Sequence, residues 1–384
     1  MLNTMQIGIN GFEAVVPRFG YDKVTGLPNR VGSGQYCYEL LISLHKIDKE
    51  NNYIIYLPQE PSSDMPKESI GWHYEVVKGR TLWTLVALSR KLFFDKEKLD
   101  VFFSPTHYSP FLLPIPSAIS ILDLSYLHFP QLFKKRDLIQ LKYWGKHSID
   151  KAKRIFTISQ ASKDDIINLY KISEEKVVVT YPGIKEVSSI KHSELNMDKL
   201  KEKYNIKGNY ILFVGTLQPR KNIARLIEAF AKLNLDLELV IIGKKGWMWE
   251  DILYAPEKFG VKTKVKFLHS VSDDDLPNFY KNAVCFVLPS LYEGFGLPIL
   301  EAMRYGCPVL TSNISSLPEA GGDAALYCNP EDVNDIAKNL KLLVENQELR
   351  EKLVEKGNDQ VKKFSWEKTA RETLKVLQDL GKNS

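Results

Sequence analysis

Two glutamates, Glu293 and Glu301, stand with seven residues between them in the string PSLYEGFGLPILEA, Pro289 to Ala302. Carboxylates accept hydrogen bonds from hydroxyls. Gly294 and Gly296 lie between the two acids and can take positive φ, which lets backbone approach a ligand. Pro298 suits the first turn of a helix. The turn therefore offers backbone N–H groups at a helix N-terminus, a ready site for an anion. A phosphate resting there, with hydroxyls reaching a carboxylate on either side, has the pattern of a nucleotide-sugar. A second string, FVGTLQPRKNIARLIEAF, Phe213 to Phe230, sets Arg220 and Lys221 side by side after a strand that ends at Gly215. A guanidinium fork beside an ammonium point charge suits a diphosphate.

Both strings need strands that end at the site and helices that start there. Short β-rich runs alternate with amphipathic helical patterns along the chain. In the first half the expected strands are MQIGIN, NYIIYLP, VFFSP, SAISILD, RIFTIS and KVVVTYPG. In the second they are YILFVG, LELVIIG, VKFLHS, CFVLPS and PVLTS, with helices over Asn222 to Leu233 and Leu276 to Asn282 among them. Such alternation predicts parallel sheets flanked by helices. The first series closes at TYPGI, Thr180 to Ile184; the polar stretch Lys185 to Asn196 reads as a linker; a fresh strand begins at Tyr210. The expected fold is α/β, two Rossmann-like domains over 1–184 and 185–363 facing a central cleft. Ligands in such sheets sit at the carboxyl ends of strands. The tail, 364–384, reads as a helix whose periodicity does not say which domain it covers.

These residues carry a resemblance. GTLQPRKN, followed about seventy residues later by PSLYEGFGLPILEAMRYGCPVL, resembles the retaining glycosyltransferases of the GT-B fold often called family 4. DLSYLHFP, TISQASKDDI and TYPGI resemble that family in matching order, so the likeness covers nearly the whole chain. It implies an N-terminal acceptor domain, a C-terminal donor domain and a tail helix crossing back to the first. It implies a nucleotide-sugar donor, GDP-mannose or a UDP-hexose, a glycan or lipid-linked acceptor, and no metal or other cofactor. By the same resemblance Arg220 and Lys221 hold the donor phosphates near Gly215. The Gly294–Leu297 turn, through Phe295, Gly296 and Leu297, offers N–H groups. Glu293 contacts the transferred sugar and Glu301 the ribose. The N-terminal loop RVGSGQYCYELL, with Gly32, Ser33 and Gly34, approaches the donor phosphate. Its G-x-G-x-x-C pattern lacks the third glycine of a dinucleotide fingerprint and lies far from the first strand, which argues against NAD. The sequence departs from the family at Leu122, where many relatives have histidine before the aspartate. Asp123 remains to bind an acceptor hydroxyl or orient the sugar, or to cap a strand end. His107 and His128 lie nearby in sequence.

The remaining features narrow the field. A net charge of +5 over 384 residues gives no case for nucleic-acid binding. No run of the roughly eighteen apolar residues of a membrane span occurs, and MLNTMQIGINGF is not a signal peptide. The four cysteines form no C-x-x-C pair, which fits a reduced, cytoplasmic compartment. SDDDLP, Ser272 to Pro277, contains D-x-D, but Ser272 reads as an N-cap and the acids as helix-start residues rather than a metal site. The seven histidines show no metal spacing, and Ser159 lies in no nucleophile elbow. Leu132 to Arg154 carries eight Lys or Arg against two Asp with aromatics interleaved, either a solvated helix face or a peripheral contact with an anionic membrane. Three functions stay open at this point: a hexosyltransferase, a GT-B nucleotide-sugar epimerase, and a non-catalytic nucleotide-sugar binder.

Overall fold

The computed structural model describes residues 4–23, 25–79, 82–95, 98–185, 197–269 and 271–382. The chain divides into two compact units, one of residues 1–185 with 364–384, the other of residues 186–363. Most of the polar linker falls outside the described residues.

The first unit is built on seven parallel strands: β1 (Gln6–Asn10), β2 (Asn52–Leu57), β3 (Trp72–Val76), β4 (Val101–Ser104), β5 (Ser117–Ser120), β6 (Arg154–Thr157) and β7 (Val177–Val179). Their order is β3-β2-β1-β4-β5-β6-β7. Ile9 pairs with Ile55 on one side and Phe103 on the other, and all three are fully buried. Each such aliphatic or aromatic side chain contributes about 1.5–3 kcal/mol by leaving water, so near-continuous apolar runs become central strands. The Ser33–Ile47 helix lays Tyr36, Leu40, Leu41 and Leu44 onto this sheet. The Trp366–Lys382 helix packs beside it, burying Trp366, Ala370 and Leu377 in the same core. Trp366 meets Tyr36 edge-on at 5.7 Å between ring centroids, and Thr369 Oγ1 donates to the Tyr181 carbonyl at 2.5 Å. Gly183 of the TYPGI string sits against the Trp366 backbone so closely that a Cβ would fall 2.0 Å from its nitrogen. That glycine is there for the tail helix.

The second unit holds six parallel strands: β8 (Tyr210–Val214), β9 (Glu238–Ile242), β10 (Val265–Leu268), β11 (Cys285–Leu288), β12 (Val309–Ser312) and β13 (Ala325–Cys328). Their order is β10-β9-β8-β11-β12-β13. Two strands went unanticipated, β3 and β13, and each is an edge of its sheet. In each unit the order reverses once: at β1/β4 in the first and β8/β11 in the second. Loops leaving the two strands at such a point diverge and open a crevice at their carboxyl ends.

Candidate active site

At the β8/β11 switch point both chemistry-bearing strings arrive together. Val214 leads through Gly215 to a short 3-10 turn, Pro219–Lys221; β11 leads through Pro289 to the Leu297–Arg304 helix. The loops are bonded to each other. Leu291 N donates to the Arg220 carbonyl at 2.8 Å, and Asn222 Nδ2 donates to the Pro289 carbonyl at 3.0 Å. Asn222 adopts left-handed φ of 59°, so the following helix starts at Ile223 rather than at Asn222. Gly243 at the end of β9 lies where a Cβ would come within 1.9 Å of the Gly215 carbonyl oxygen, so only glycine fits beside the first loop.

Arg220, Lys221 and Glu293 converge. Glu293 Oε2 accepts from Arg220 Nη1 at 2.8 Å, and Oε1 accepts from Lys221 Nζ at 2.5 Å and Ser290 Oγ at 2.7 Å. The carboxylate is 6% exposed. Burial pushes its pKa up, but the two cations and the bonds from Lys221 and Ser290 outweigh it and hold the acid down at about 2. Arg220 Nη1 also donates to the Tyr292 carbonyl at 2.6 Å. The Glu293 backbone is fixed as well: its carbonyl accepts from Ser315 Oγ and Ser316 Oγ, both at 2.8 Å. The cluster is rigid, and two positive charges are gathered on one ionised acid.

Gly296 caps the helix start with φ of 106°, and a Cβ there would press to 2.9 Å from Leu317 Cδ2. Phe295 is buried, Gly294 precedes it, and Leu297 is the first helical residue. Glu301 lies one turn into the helix, half-buried, and accepts from Tyr280 Oη at 2.9 Å. Tyr280 is itself buried and stacked on Tyr305 at 5.9 Å. Burial, then the Glu301 charge, raises the phenol pKa, so Tyr280 stays a hydrogen-bond donor to that carboxylate.

In the first unit the β1/β4 switch point gathers a different set. Asn10 at the end of β1 donates to Ser104 Oγ at the end of β4 at 2.9 Å, tying the two strands. Glu13 follows β1 and His107 follows β4. Glu13 Oε2 accepts from Ser33 Oγ at 3.0 Å, and a Cβ on Gly34 would meet the Glu13 carbonyl at 3.0 Å. Gly32, with φ of 54°, caps the Ser33–Ile47 helix. Burial raises the Glu13 pKa; the Ser33 bond and the fields of His107 and Arg18 only partly offset it. His107 Nε2 lies 3.1 Å from the Asp123 carbonyl oxygen. Asp123 Oδ1 accepts from Ser125 N at 3.0 Å and Ser125 Oγ at 2.7 Å, so one carboxylate oxygen caps the turn after β5. Leu122 is buried in the hydrophobic core, where a histidine's polar ring would have no place without a partner. His128 pairs with Asp165 at 2.9 Å.

Sequence reasoning missed Glu13, Ser290, Ser315, Ser316 and Tyr280. Glu13 carried a signal, an acid three residues past the first strand. The serines carried none, because their role depends on which loop they fold against. In the D-x-D string the helix begins at Leu276, and Ser272 caps only the turn before it, accepting from Asp275 N at 3.2 Å. Asp275 is buried and accepts from Lys203 Nζ at 2.6 Å and Tyr204 Oη at 2.7 Å, a strut to the Met197–Tyr204 helix.

Two α/β units, each a parallel sheet with one strand-order reversal and loops converging at its carboxyl edge, define the GT-B class of glycosyltransferases. The chain belongs to the family described as glycosyl transferases group 1, which residues 196–360 match; residues 32–186 match glycosyltransferase family 4. It is a glycosyltransferase. It is 34% identical over 280 residues to the O-antigen chain mannosyltransferase B of Escherichia coli, covering 71% of this chain and 73% of that one. It is 36% identical over 228 residues to the serotype-specific mannosyltransferase WbdA of the same species, 58% of this chain but 28% of that longer protein. Among solved structures, Anabaena HepE in complex with UDP-glucose superposes with a TM-score of 0.72 over 98% of this chain and 100% of that one, at 17% identity, a likeness of fold.

Proposed function

We propose that the chain is a retaining hexosyltransferase that takes mannose from GDP-mannose and delivers it to a hydroxyl of a glycan or lipid-linked glycan. The observation that carries this is the gathering of Arg220 and Lys221 on the buried, ionised Glu293 at the β8/β11 switch point. Glu293 holds both cations at fixed positions beside a helix N-terminus. A donor diphosphate placed there meets two positive charges and the N–H groups of the Gly294–Leu297 turn. As the bond between the sugar C1 and the phosphate oxygen breaks, negative charge grows on the leaving diphosphate, and fixed cations stabilise that charge most. The acceptor oxygen bonds to C1 on the same face, and its proton passes to the departing phosphate oxygen, which preserves the anomeric configuration. In this reading the cations do the work that a metal does elsewhere, and no cofactor is needed. Glu293 contacts the transferred sugar, Glu301 the ribose, and Gly32, Ser33 and Gly34 add groups for phosphate. Mannose is favoured because the relatives with the higher identities are named mannosyltransferases; a UDP-hexose is the second donor, since HepE of like fold holds UDP-glucose. The protein works in the cytoplasm, with a peripheral membrane contact through residues 132–154.

A thermal-shift series with GDP, UDP and ADP tests the donor. A ligand at about a hundred times its Kd stabilises the folded state by about 2.7 kcal/mol. GDP is expected to raise Tm most, and Arg220→Ala to remove most of that rise. An unchanged shift in the variant would take the phosphate role away from Arg220. Free nucleotide released from donor with no acceptor product would point instead to an epimerase.

A further inference from the structure

Three segments far apart in sequence build one apolar groove on the first unit. It has a volume of 520 Å³, and its lining includes Leu82, Phe111, Ile139, Tyr143, Trp144 and His147. The Phe111 turn is anchored on both sides. Its N–H donates to Ser89 Oγ of the Ala87–Phe94 helix at 2.6 Å, and its ring stacks on His147 of the Lys135–Lys151 helix at 4.4 Å between centroids. Leu138 and Leu141 of that second helix pack inward against the core. Its outer face is different. Ile139 is 59% exposed and Tyr143 is 75% exposed, with Phe111 at 53% and Leu112 at 58% beside them. At 3.6 residues per turn, Lys135, Ile139, Lys142 and Lys146 share one side of the helix, and Arg136 and Tyr143 adjoin it. An apolar stripe bordered by cations on a helix too polar to be inserted is what lies in the plane of an anionic bilayer surface. Among the described residues no helix is long and apolar enough to cross a membrane.

We propose that this groove and the outer face of the Lys135–Lys151 helix dock the protein on an anionic phospholipid bilayer, with Phe111, Ile139 and Tyr143 entering the interface and Lys135, Arg136 and Lys142 meeting headgroups. Charge complementarity selects this occupant: the helix carries five Lys or Arg against two Asp, and one of those acids, Asp150, is already paired with Lys146 at 2.8 Å. The position also bears on the acceptor. Trp144 of the groove meets Tyr108 edge-on at 6.3 Å, and Tyr108 adjoins His107, whose ring reaches the Asp123 carbonyl. The docked bilayer therefore lies beside the carboxyl edge of β4 and β5, so the acceptor is a lipid-anchored one; this step rests on the transferase reading, whereas the docking itself does not.

Flotation of the full chain with phosphatidylcholine vesicles, with and without phosphatidylglycerol, tests it. The wild type is expected to float with the anionic vesicles and to lose binding as salt rises. Lys135→Ala/Lys142→Ala is expected to weaken partition about 30-fold, from two cations near a charged surface. Ile139→Ser/Tyr143→Ser is expected to weaken it at least about tenfold. Both variants replace exposed side chains, and an unchanged melting curve checks their fold. Failure of the wild type to float at low salt, or flotation of both variants equal to that of the wild type, overturns the proposal. So does a wild-type dimer that Ile139→Ser/Tyr143→Ser converts to monomer without changing flotation, which would make the face a protein contact. A nucleotide thermal shift on the wild type separates the two readings. A wild type that fails to float but keeps that shift sinks the docking surface alone, and a wild type that floats with no nucleotide shift sinks the transferase reading alone.

Discussion

The two switch points are built alike, but their glutamates are shifted in opposite directions. Each sits where a parallel sheet reverses its strand order, and each places a glutamate just past a strand end beside the glycine that opens a helix. Glu293 lies among Arg220 and Lys221, and its acid is held down at about 2. Glu13 lies against Ser33 with His107 and Arg18 acting only through their fields, and burial keeps its pKa raised. The difference shows what decides the state of a buried carboxyl. Burial opposes ionisation at both places; direct contact with two cations wins at one, and a hydroxyl and distant charges do not win at the other. A permanently ionised acid can hold cations for a diphosphate. An acid whose pKa is raised by burial gives up its proton less readily and can instead share a hydrogen bond with a hydroxyl.

The largest expected effect breaks the first half of that contrast. Glu293→Gln leaves Arg220 and Lys221 close together with no negative charge between them. Removing one partner from a buried ion pair costs about 3–5 kcal/mol, so calorimetry should show Tm falling by roughly 10 °C for a unit of this size. Added sulfate or pyrophosphate should recover part of the loss, because an anion then takes the place of the carboxylate. A variant as stable as the wild type would mean that the cations had simply turned to solvent.

Acid titration of the wild type comes next in size. A carboxyl lowered in the folded state from its ordinary 4.5 to about 2 supplies stability that is complete above 4.5 and disappears as pH falls toward 2. That is about 3 kcal/mol. Denaturant melts between neutral pH and pH 2 should show that slope, and in Glu293→Gln this part of it should vanish. An identical slope in the two proteins would place the acid sensitivity elsewhere.

Much of this site is legible in the sequence, and the parts that are not share a cause. The strands that read clearly, such as YILFVG and CFVLPS, are central and buried on both faces, so every residue reports the same environment. The two missed strands are edges. WHYEV alternates buried Trp72 with exposed His73, and ALYC has only its end residues buried. Half-exposed edges blur the apolar run that marks a parallel strand. Arg220, Lys221, Glu293 and Glu301 stand out because ionisable groups near glycine turns have few structural uses. Their meeting does not stand out, since 72 residues separate Lys221 from Glu293 and only the β8/β11 adjacency joins them. The serine bonds to the Glu293 carbonyl are invisible for the same reason. Gly183 reads as part of a motif, but its cause, the Trp366 backbone, lies at the other end of the chain.

The smallest expected effect sharpens the contrast from the other side. Glu13→Gln keeps a side-chain oxygen for Ser33 and removes only the charge. An acid whose folded value is raised disfavours the fold once it ionises; that penalty is complete above the raised value and absent below the ordinary 4.5. The variant should therefore be slightly more stable than the wild type at neutral pH, by on the order of 1 kcal/mol, the scale of one hydrogen bond exchanged for another. The gap should close as pH falls through the carboxylate range. The groups facing Glu13 are His107, Arg18, Tyr108 and Cys37. Nucleotide affinity should move little, since the variant keeps an oxygen for the Ser33 hydroxyl. A Glu13→Gln protein that is less stable than the wild type at neutral pH would show an ionised, favourably paired Glu13, and the two switch points would then be electrostatically alike.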